Sequence, residues 1–140
     1  MADDRQKRRQ ELAGTLEGRS DDEITQGVVT QGAATVLDQI FAGMAEAFLP
    51  EKAGSQSAVI QYDINVGGTV HTYQLKIAGG KCELLKGAAG PARVTLALLV
   101  PDFLRLVTGT LNGMQAFMTG KLKLSGDMMF AQVMQAWFEQ

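Results

Sequence analysis

The sequence has little of the chemistry from which catalytic and metal sites are usually built. Its 140 residues include one cysteine and one histidine, Cys82 and His71. A lone cysteine cannot form an internal disulfide, and one histidine with one cysteine cannot supply the roughly four clustered ligands of a zinc site. A serine or cysteine nucleophile needs a neighbouring base. The one histidine, His71, falls in an alternating stretch beside a turn, where a histidine on the surface of a strand is expected. We therefore expect no catalytic residue, no metal and no cofactor.

Long apolar runs and an excess of one charge are also missing. No segment approaches the ~20 apolar residues of a membrane span. The formal net charge is −2, so no nucleic-acid partner is expected. The N-terminus is charged where a secretion signal would be apolar, and the chain ends Phe138-Glu139-Gln140, which is not a Ser-Lys-Leu-type peroxisomal address. These absences predict a soluble cytoplasmic protein.

The hydrophobic content, 46% of the chain, is sufficient for one domain with a single core. Residues 1–20 are densely charged and predict a tail or an exposed helix, which leaves 21–140 as the domain. Ser20 and Glu23 have the spacing of a capping box, so a helix should begin there. A second, amphipathic helix is predicted to end at Pro50, because apolar residues recur at helical spacing before it: Val36, Leu37, Ile40, Met44 and Phe48.

Alternation with a period of two then predicts strands between residues 57 and 98. Gly67-Gly68 and Gly79-Gly80 separate successive runs as hairpin turns would. Pro101-Asp102 opens a further helix, a short helix is expected at 113–118, and a fifth strand lies near Leu122. The predicted fold is α+β: a five-stranded, mainly antiparallel sheet covered on one face by helices.

The last predicted helix, from Gly126-Asp127 to about residue 138, is apolar over more than one face. It has no charged residue between Asp127 and Glu139. Five of the seven methionines fall within residues 114–134. Such a helix must be covered by the domain, by a partner subunit or by a ligand. Methionine at helical spacing usually fills the core, although its unbranched thioether side chain also suits the wall of a ligand-binding site.

From about residue 32 to residue 140 the sequence resembles the sterol carrier protein (sterol-transfer) family. The resemblance rests on Tyr62-Asp63-Ile64 and on a series of motifs: Pro101-Asp102-Phe103-Leu104, Gly109, Asn112-Gly113, Gln115-Ala116-Phe117-Met118, Gly120-Lys121-Leu122-Lys123 and Gly126-Asp127. It implies a hydrophobic tunnel between the sheet and the helices. It also implies binding of fatty acids, fatty acyl-CoAs, sterols or phospholipids without catalysis.

Carried over to this sequence, the resemblance implies a polar contact from Gln115 to a ligand headgroup. The tunnel lining it implies comprises Phe103, Val107, Phe117 and Met118 from the middle helices, Met129, Val133 and Trp137 from the last helix, and Ile40 and Met44 from an earlier one. The expected partner is a lipid, with transient membrane contact and a monomer or weak homodimer.

Two alternatives stay open at this point. The apolar last helix could instead serve a protein-interaction or dimerisation module. A carboxylate base in an apolar cavity is the other option, with Asp63, Asp102 or Asp127 as candidates. Each has a local explanation, because Asp63 falls on the polar face of a strand and the other two fall at helix starts, where a negative charge is stabilised.

Overall fold

The computed structural model describes residues 2–138, without the side chains at positions 2–6, 8, 9 and 135. Helices flank and separate the strands of one sheet within that range. In chain order the elements are α1 Ala2–Leu16, α2 Asp21–Gln31, α3 Ala33–Glu46, α4 Pro50–Ala53, β1 Ala58–Val66, β2 Thr69–Ala78, β3 Lys81–Lys86, β4 Val94–Leu99, α5 Val100–Val107, α6 Gly113–Met118, β5 Lys123–Gly126 and α7 Met128–Met134, with a 3₁₀ turn at Gln135–Trp137.

The five strands form one mixed sheet in the order β3-β2-β1-β4-β5. The hairpins β1-β2 and β2-β3 are antiparallel, as is the pair β4-β5, whereas β4 runs parallel to β1. Both hairpins turn through glycine pairs with positive φ, Gly67-Gly68 and Gly79-Gly80, which matches the backbone of a tight hairpin turn. The predicted α+β fold with a mainly antiparallel sheet is confirmed.

The core lies between one face of this sheet and helices α3 and α5. Tyr62 of β1 pairs with Tyr73 of β2, and both side chains are buried. Phe41 of α3 stacks on Tyr73 with ring centroids 4.4 Å apart and on Phe103 of α5 at 5.1 Å. Phe41 also meets the edge of Tyr62 at 5.2 Å. This aromatic cluster joins the sheet to both helices and so fixes their positions.

The opposite face of the sheet carries a polar network. Asp63 accepts hydrogen bonds from Gln61 Nε2 at 3.1 Å and from Thr72 Oγ1 at 3.0 Å. Gln74, only 1% exposed, donates to Gln61 Oε1 and to the carbonyl of Gly90, both at 2.8 Å. The alternation of the strands therefore separates an apolar inner face from a polar outer face, as the sequence predicts.

The predicted end of the second helix is wrong. Ser20 and Glu23 form the predicted capping box at the start of α2, but α3 already ends at Glu46 and Pro50 begins α4 instead of ending α3. The reason is that proline is well tolerated at a first helical position, where its missing N–H is not needed. Phe48 lies outside α3, in an isolated β-bridge with Phe138.

Helices α1 and α7 lie near the two ends of the chain. The charged N-terminal stretch forms α1, and Leu12 and Leu16 of this helix pack against the core. The last helix ends at Met134 and continues as the 3₁₀ turn. The predicted domain boundary at residue 21 stays a prediction, and the last two residues of the predicted domain lie outside the described residues.

Candidate functional site

The predicted ligand-binding residues fall into three groups by exposure. Phe103 and Trp137 are buried, with 1% of each residue exposed. Ile40, Met44 and Val107 are half-buried and pack against the core. The remaining five lie on the protein surface: Gln115, Phe117, Met118, Met129 and Val133.

Helix α6 is held to the domain mainly through a single small residue. Asn112 caps its start by accepting hydrogen bonds from the N–H groups of Met114 and Gln115. Ala116 is fully buried, and its carbonyl accepts from the N–H groups of Lys121 and Leu122. Because only this side of α6 meets the core, its larger apolar side chains are left in solvent: Met114 at 62%, Phe117 at 43% and Met118 at 76% exposure.

Helix α7 is anchored by one face and exposes the other. Phe130 and Met134 are buried, and Trp137 meets Phe130 edge to face at 5.2 Å. The carbonyl of Trp137 accepts a hydrogen bond from the Leu49 N–H at 2.6 Å. On the other face Met128, Met129 and Val133 are 41%, 80% and 50% exposed. We call the exposed apolar residues of the two helices the methionine-rich surface: Met114, Phe117, Met118, Met128, Met129 and Val133.

A cleft of about 360 Å³ opens beside α7. This volume lies at the lower end of the range for small-molecule pockets. Its lining combines apolar side chains of the methionine-rich surface with polar groups from the ends of the strands: Gln56, Arg93, Asp127, Met129, Phe130 and Val133. Two of the predicted ligand-binding residues, Met129 and Val133, therefore meet in one cleft.

The polar side of this cleft is an ordered ion pair. Arg93 Nε lies 3.1 Å from Asp127 Oδ2, and the guanidinium carbon lies 4.2 Å from the centre of the Phe130 ring. Asp127 Oδ1 accepts the N–H of Phe130 at 2.9 Å. This backbone hydrogen bond, followed by the contact with Arg93, lowers the pKa of Asp127. The carboxylate is therefore ionised and fixed at neutral pH.

The approach of β5 to the residue before β4 creates this geometry. The N–H of Asp127 donates to the carbonyl of Arg93 at 2.9 Å, and the N–H of Arg93 donates to Val59 at 2.8 Å. A Cβ atom on Gly126 would lie 2.5 Å from the Arg93 carbonyl oxygen. Glycine at this position therefore permits the close approach of the two chain segments.

A second cleft, of about 600 Å³, lies beside α1 and α5. Its lining is largely polar or small: Gln10, Ala13, Gly14, Leu16, Glu17, Gly18, Arg19, Arg105 and Thr110. Leu16 is the one large apolar side chain in this lining, whereas Met129, Phe130 and Val133 line the cleft beside α7. The cleft beside α7 is therefore the better candidate for a lipid site.

Of the residues considered for catalysis, Asp127 lines the cleft beside α7, whereas Cys82 and Asp102 line neither cleft. Burial raises the pKa of the Cys82 thiol to about 11, so the reactive thiolate is disfavoured at neutral pH. Asp102 is 4% exposed, and burial, with the nearby charge of Asp21, raises its pKa. Arg105 lies 3.4 Å from Asp102 and 2.6 Å from Asp21. This arrangement ties α5 to α2.

Two further properties bear on the class of protein. Within the described part of the chain, no group of three or more histidine, cysteine, aspartate or glutamate residues is arranged to hold a metal ion. Among residues 2–138, none of the helices is both long enough and apolar enough to cross a membrane.

Comparison with known proteins identifies the family. The model of the SCP-2 sterol transfer family matches residues 37–139. The oleate-induced peroxisomal protein of Candida maltosa is 31% identical over 111 residues, which are 77% of this chain and 87% of the yeast protein. The chain belongs to the SCP-2 sterol transfer family.

Some relatives are much longer than this chain, whereas others have a similar length. Peroxisomal multifunctional enzyme type 2 of Mus musculus is 36% identical over 81 residues, but the match spans 56% of this chain and only 11% of the enzyme. The solution structure of palmitated SCP2L2 from Aedes aegypti superposes with a TM-score of 0.60 at 22% identity and covers 76% of this chain and 94% of that one. At 22% identity, the similarity to the Aedes aegypti structure supports the fold alone.

Arg93 and Phe130 were not predicted as site residues. Arg93 is separated from Asp127 by 34 positions, and on the sequence it is only one polar position in an alternating strand. Phe130 is one of many apolar residues in the last helix. Their contact depends on the pairing of β4 with β5, which residue spacing alone does not reveal.

Proposed function

We propose that this chain binds one long-chain lipid without catalysing a reaction, and that it presents the lipid to another protein or transfers it. The proposed ligand classes are fatty acids, fatty acyl-CoAs, sterols and phospholipids. The family is named for sterol transfer, and one relative for induction by oleate. These names support a lipid as the ligand class.

The observation that carries the proposal is the methionine-rich surface. Six apolar side chains on α6 and α7, four of them methionines, are at least 41% exposed. Large apolar side chains left in solvent in this number on two successive helices favour a ligand or partner that covers them. Methionine is unbranched, flexible and polarizable, so it adapts to ligands of different shape. This chemistry favours a lipid of variable structure over a single rigid ligand.

Affinity would come from burial of the lipid chain. Each methylene removed from water contributes about 0.8 kcal/mol, and ordering the chain and the protein side chains opposes this gain. The sequence predicts a tunnel between the sheet and the helices, but five of the ten predicted ligand-binding residues are exposed. We therefore propose that the lipid lies along the methionine-rich surface and the cleft beside α7. The exposed residues of α6 and α7 would contact the ligand, and the buried Phe103 and Trp137 would support them from within.

Trp137 provides a direct test, because it is the only tryptophan in the sequence and packs on Phe130, which lines the cleft. Delipidated protein is titrated with a polyene fatty acid that accepts energy from tryptophan, and with a fluorescent sterol analogue in parallel. The proposal predicts saturable quenching at one ligand per chain, reversed by unlabelled fatty acid. Absence of energy transfer with both probes would contradict it.

A matched pair of variants locates the site. Val133 in α7 and Val29 in α2 are valines at 50% and 51% exposure, each in a helix. Val133→Asp should weaken lipid binding severalfold, since it places a charge against the lipid chain. Val29→Asp should leave binding unchanged. Equal effects of the two substitutions would show that α7 is not part of the site.

Dimerisation through α7 is the alternative function, and the same exposed side chains favour it. The two functions differ in what covers those residues. Sedimentation of the delipidated protein over a wide concentration range separates them. A stable dimer that Val133→Asp dissociates would support the alternative, whereas the lipid-carrier proposal predicts a monomer or a weak dimer. A cytoplasmic location is proposed from the sequence alone.

A further inference from the structure

The cleft beside α7 contains one cationic side chain. Of its six lining residues only Arg93 is cationic. Asp127 holds its Nε at 3.1 Å, and the Phe130 ring lies 4.2 Å from the guanidinium carbon. A carboxylate at one edge and an aromatic face beneath the plane restrict both the position and the orientation of the group. Arg93 is thus oriented before any ligand binds.

The hydrogen-bonding capacity of this guanidinium is only partly used. The ion pair occupies Nε, and no described side chain accepts a hydrogen bond from Nη1 or Nη2. The Arg93 side chain is 43% exposed, so these two nitrogens can be reached from the cleft. Parallel N–H groups of arginine match the two oxygens of a carboxylate, and such charge-assisted pairs are among the stronger hydrogen bonds in proteins.

Asp127 orients Arg93 by pairing with Nε and does not occupy Nη1 or Nη2, the nitrogens offered to a ligand. Both of its oxygens already accept hydrogen bonds, one from Arg93 and one from the Phe130 N–H. The apolar side of the cleft is formed by Met129 and Val133, which belong to the methionine-rich surface. A cation thus stands at the border of an apolar wall, an arrangement that complements an amphiphile with an anionic end.

We propose that Arg93 binds the carboxylate of a long-chain fatty acid through its terminal nitrogens, with the start of the acyl chain against Met129 and Val133. This inference rests on the lipid-binding function proposed above and adds a headgroup site. It predicts that the protein distinguishes a fatty acid from an uncharged lipid with the same chain, because only the acid can pair with the guanidinium.

The test is equilibrium dialysis of the delipidated full chain with radiolabelled hexadecanoic acid and hexadecan-1-ol at neutral pH. These ligands share a chain and differ in the headgroup. Arg93→Gln should weaken binding of the acid by about tenfold or more, which is the scale of a lost charge-assisted hydrogen bond. Binding of the alcohol should be unchanged, which also shows that the variant is folded. Arg93→Lys restores the charge without the planar fork and should recover part of the affinity for the acid.

Lys81→Gln is the matched control, because Lys81 is an exposed cation on β3, at the opposite edge of the sheet. It should leave both affinities unchanged. An equal loss of acid binding in Lys81→Gln and Arg93→Gln would overturn the inference, as would an Arg93→Gln variant that binds the acid like the wild type. Those results leave the lipid-binding function standing if the alcohol still binds. Failure of the wild type to bind either ligand would overturn both proposals.

Discussion

Gly126→Ala, at the end of β5, should destabilise the protein more than a glycine-to-alanine change where the added Cβ meets no other atom. Gly126 has φ of +97°, and a Cβ there would meet the Arg93 carbonyl oxygen at 2.5 Å. Gly120 is the matched control, since it has φ of +79° but no atom within 4 Å of the corresponding Cβ. Both substitutions carry the backbone cost of alanine at positive φ, about 1–2 kcal/mol.

Only Gly126→Ala must also separate β5 from the residue before β4. This movement strains two backbone hydrogen bonds, Asp127 N–H to Arg93 at 2.9 Å and Arg93 N–H to Val59 at 2.8 Å. Each lost hydrogen bond costs about 1 kcal/mol. We therefore expect a loss in the free energy of unfolding of about 2–4 kcal/mol for Gly126→Ala and about 1–2 kcal/mol for Gly120→Ala.

Urea denaturation followed by Trp137 fluorescence measures both losses. Equal destabilisation of the two variants would refute the close-approach argument. If Gly126→Ala is folded enough to bind lipid, it should also bind hexadecanoic acid more weakly, because the shift displaces Arg93. Unchanged discrimination between acid and alcohol in that variant would refute the link between Gly126 and the headgroup site.

Three further predictions follow from local structure. Ser20→Ala should cost about 1 kcal/mol of unfolding free energy, because Ser20 accepts the third N–H of α2; urea denaturation measures it, and no loss would contradict it. Lys86 and the Tyr73 hydroxyl hold the pKa of Asp38 below its usual 3.8, so this carboxylate stabilises the fold above about pH 4 and the contribution is lost as pH falls further. Asp38→Asn should flatten the acid limb of a stability-against-pH curve, and an unchanged limb would contradict the pairing. The rate of Cys82 alkylation by iodoacetamide should keep rising as the pH is raised towards about 11, and unfolding should increase this rate. A rate that levels off near pH 8 would show an accessible thiol whose pKa is not raised.

The elements that were predicted correctly are those with local signals. The capping box at Ser20, the paired glycines of the hairpins and the two-residue alternation each depend on residues a few positions apart. Local hydrogen bonds and side-chain direction decide such features, so spacing alone indicates them. The polar outer face follows from the same alternation, because successive strand residues point to opposite sides.

Helix α3 shows where local reasoning stops. The predicted apolar stripe included Val36 and Met44 but not Phe41, which is 0% exposed. Phe41 is buried because Tyr73 and Phe103 meet it from the sheet and from α5. The orientation of a helix about its axis is decided by such partners, which the helix's own sequence does not contain.

The candidate site depends even more on distant contacts. Leu122 and the residues after it predict a strand, but only its pairing with β4 brings Asp127 to Arg93. Likewise, the apolar width of the last helix is visible in the sequence. Which of its residues face the core, as Phe130 does, and which face solvent, as Met129 does, depends on the docking of α7.

Methionine methyl NMR tests the central claim most directly. Four exposed methionines, Met114, Met118, Met128 and Met129, can be compared with the buried Met134 in the same molecule. On titration of the delipidated protein with hexadecanoic acid, we predict saturable shifts of the exposed methyl signals at one ligand per chain, with Met129 among those that shift most. Exposed methyl signals that do not move, or that drift without saturation, would contradict the account of this surface as a lipid site.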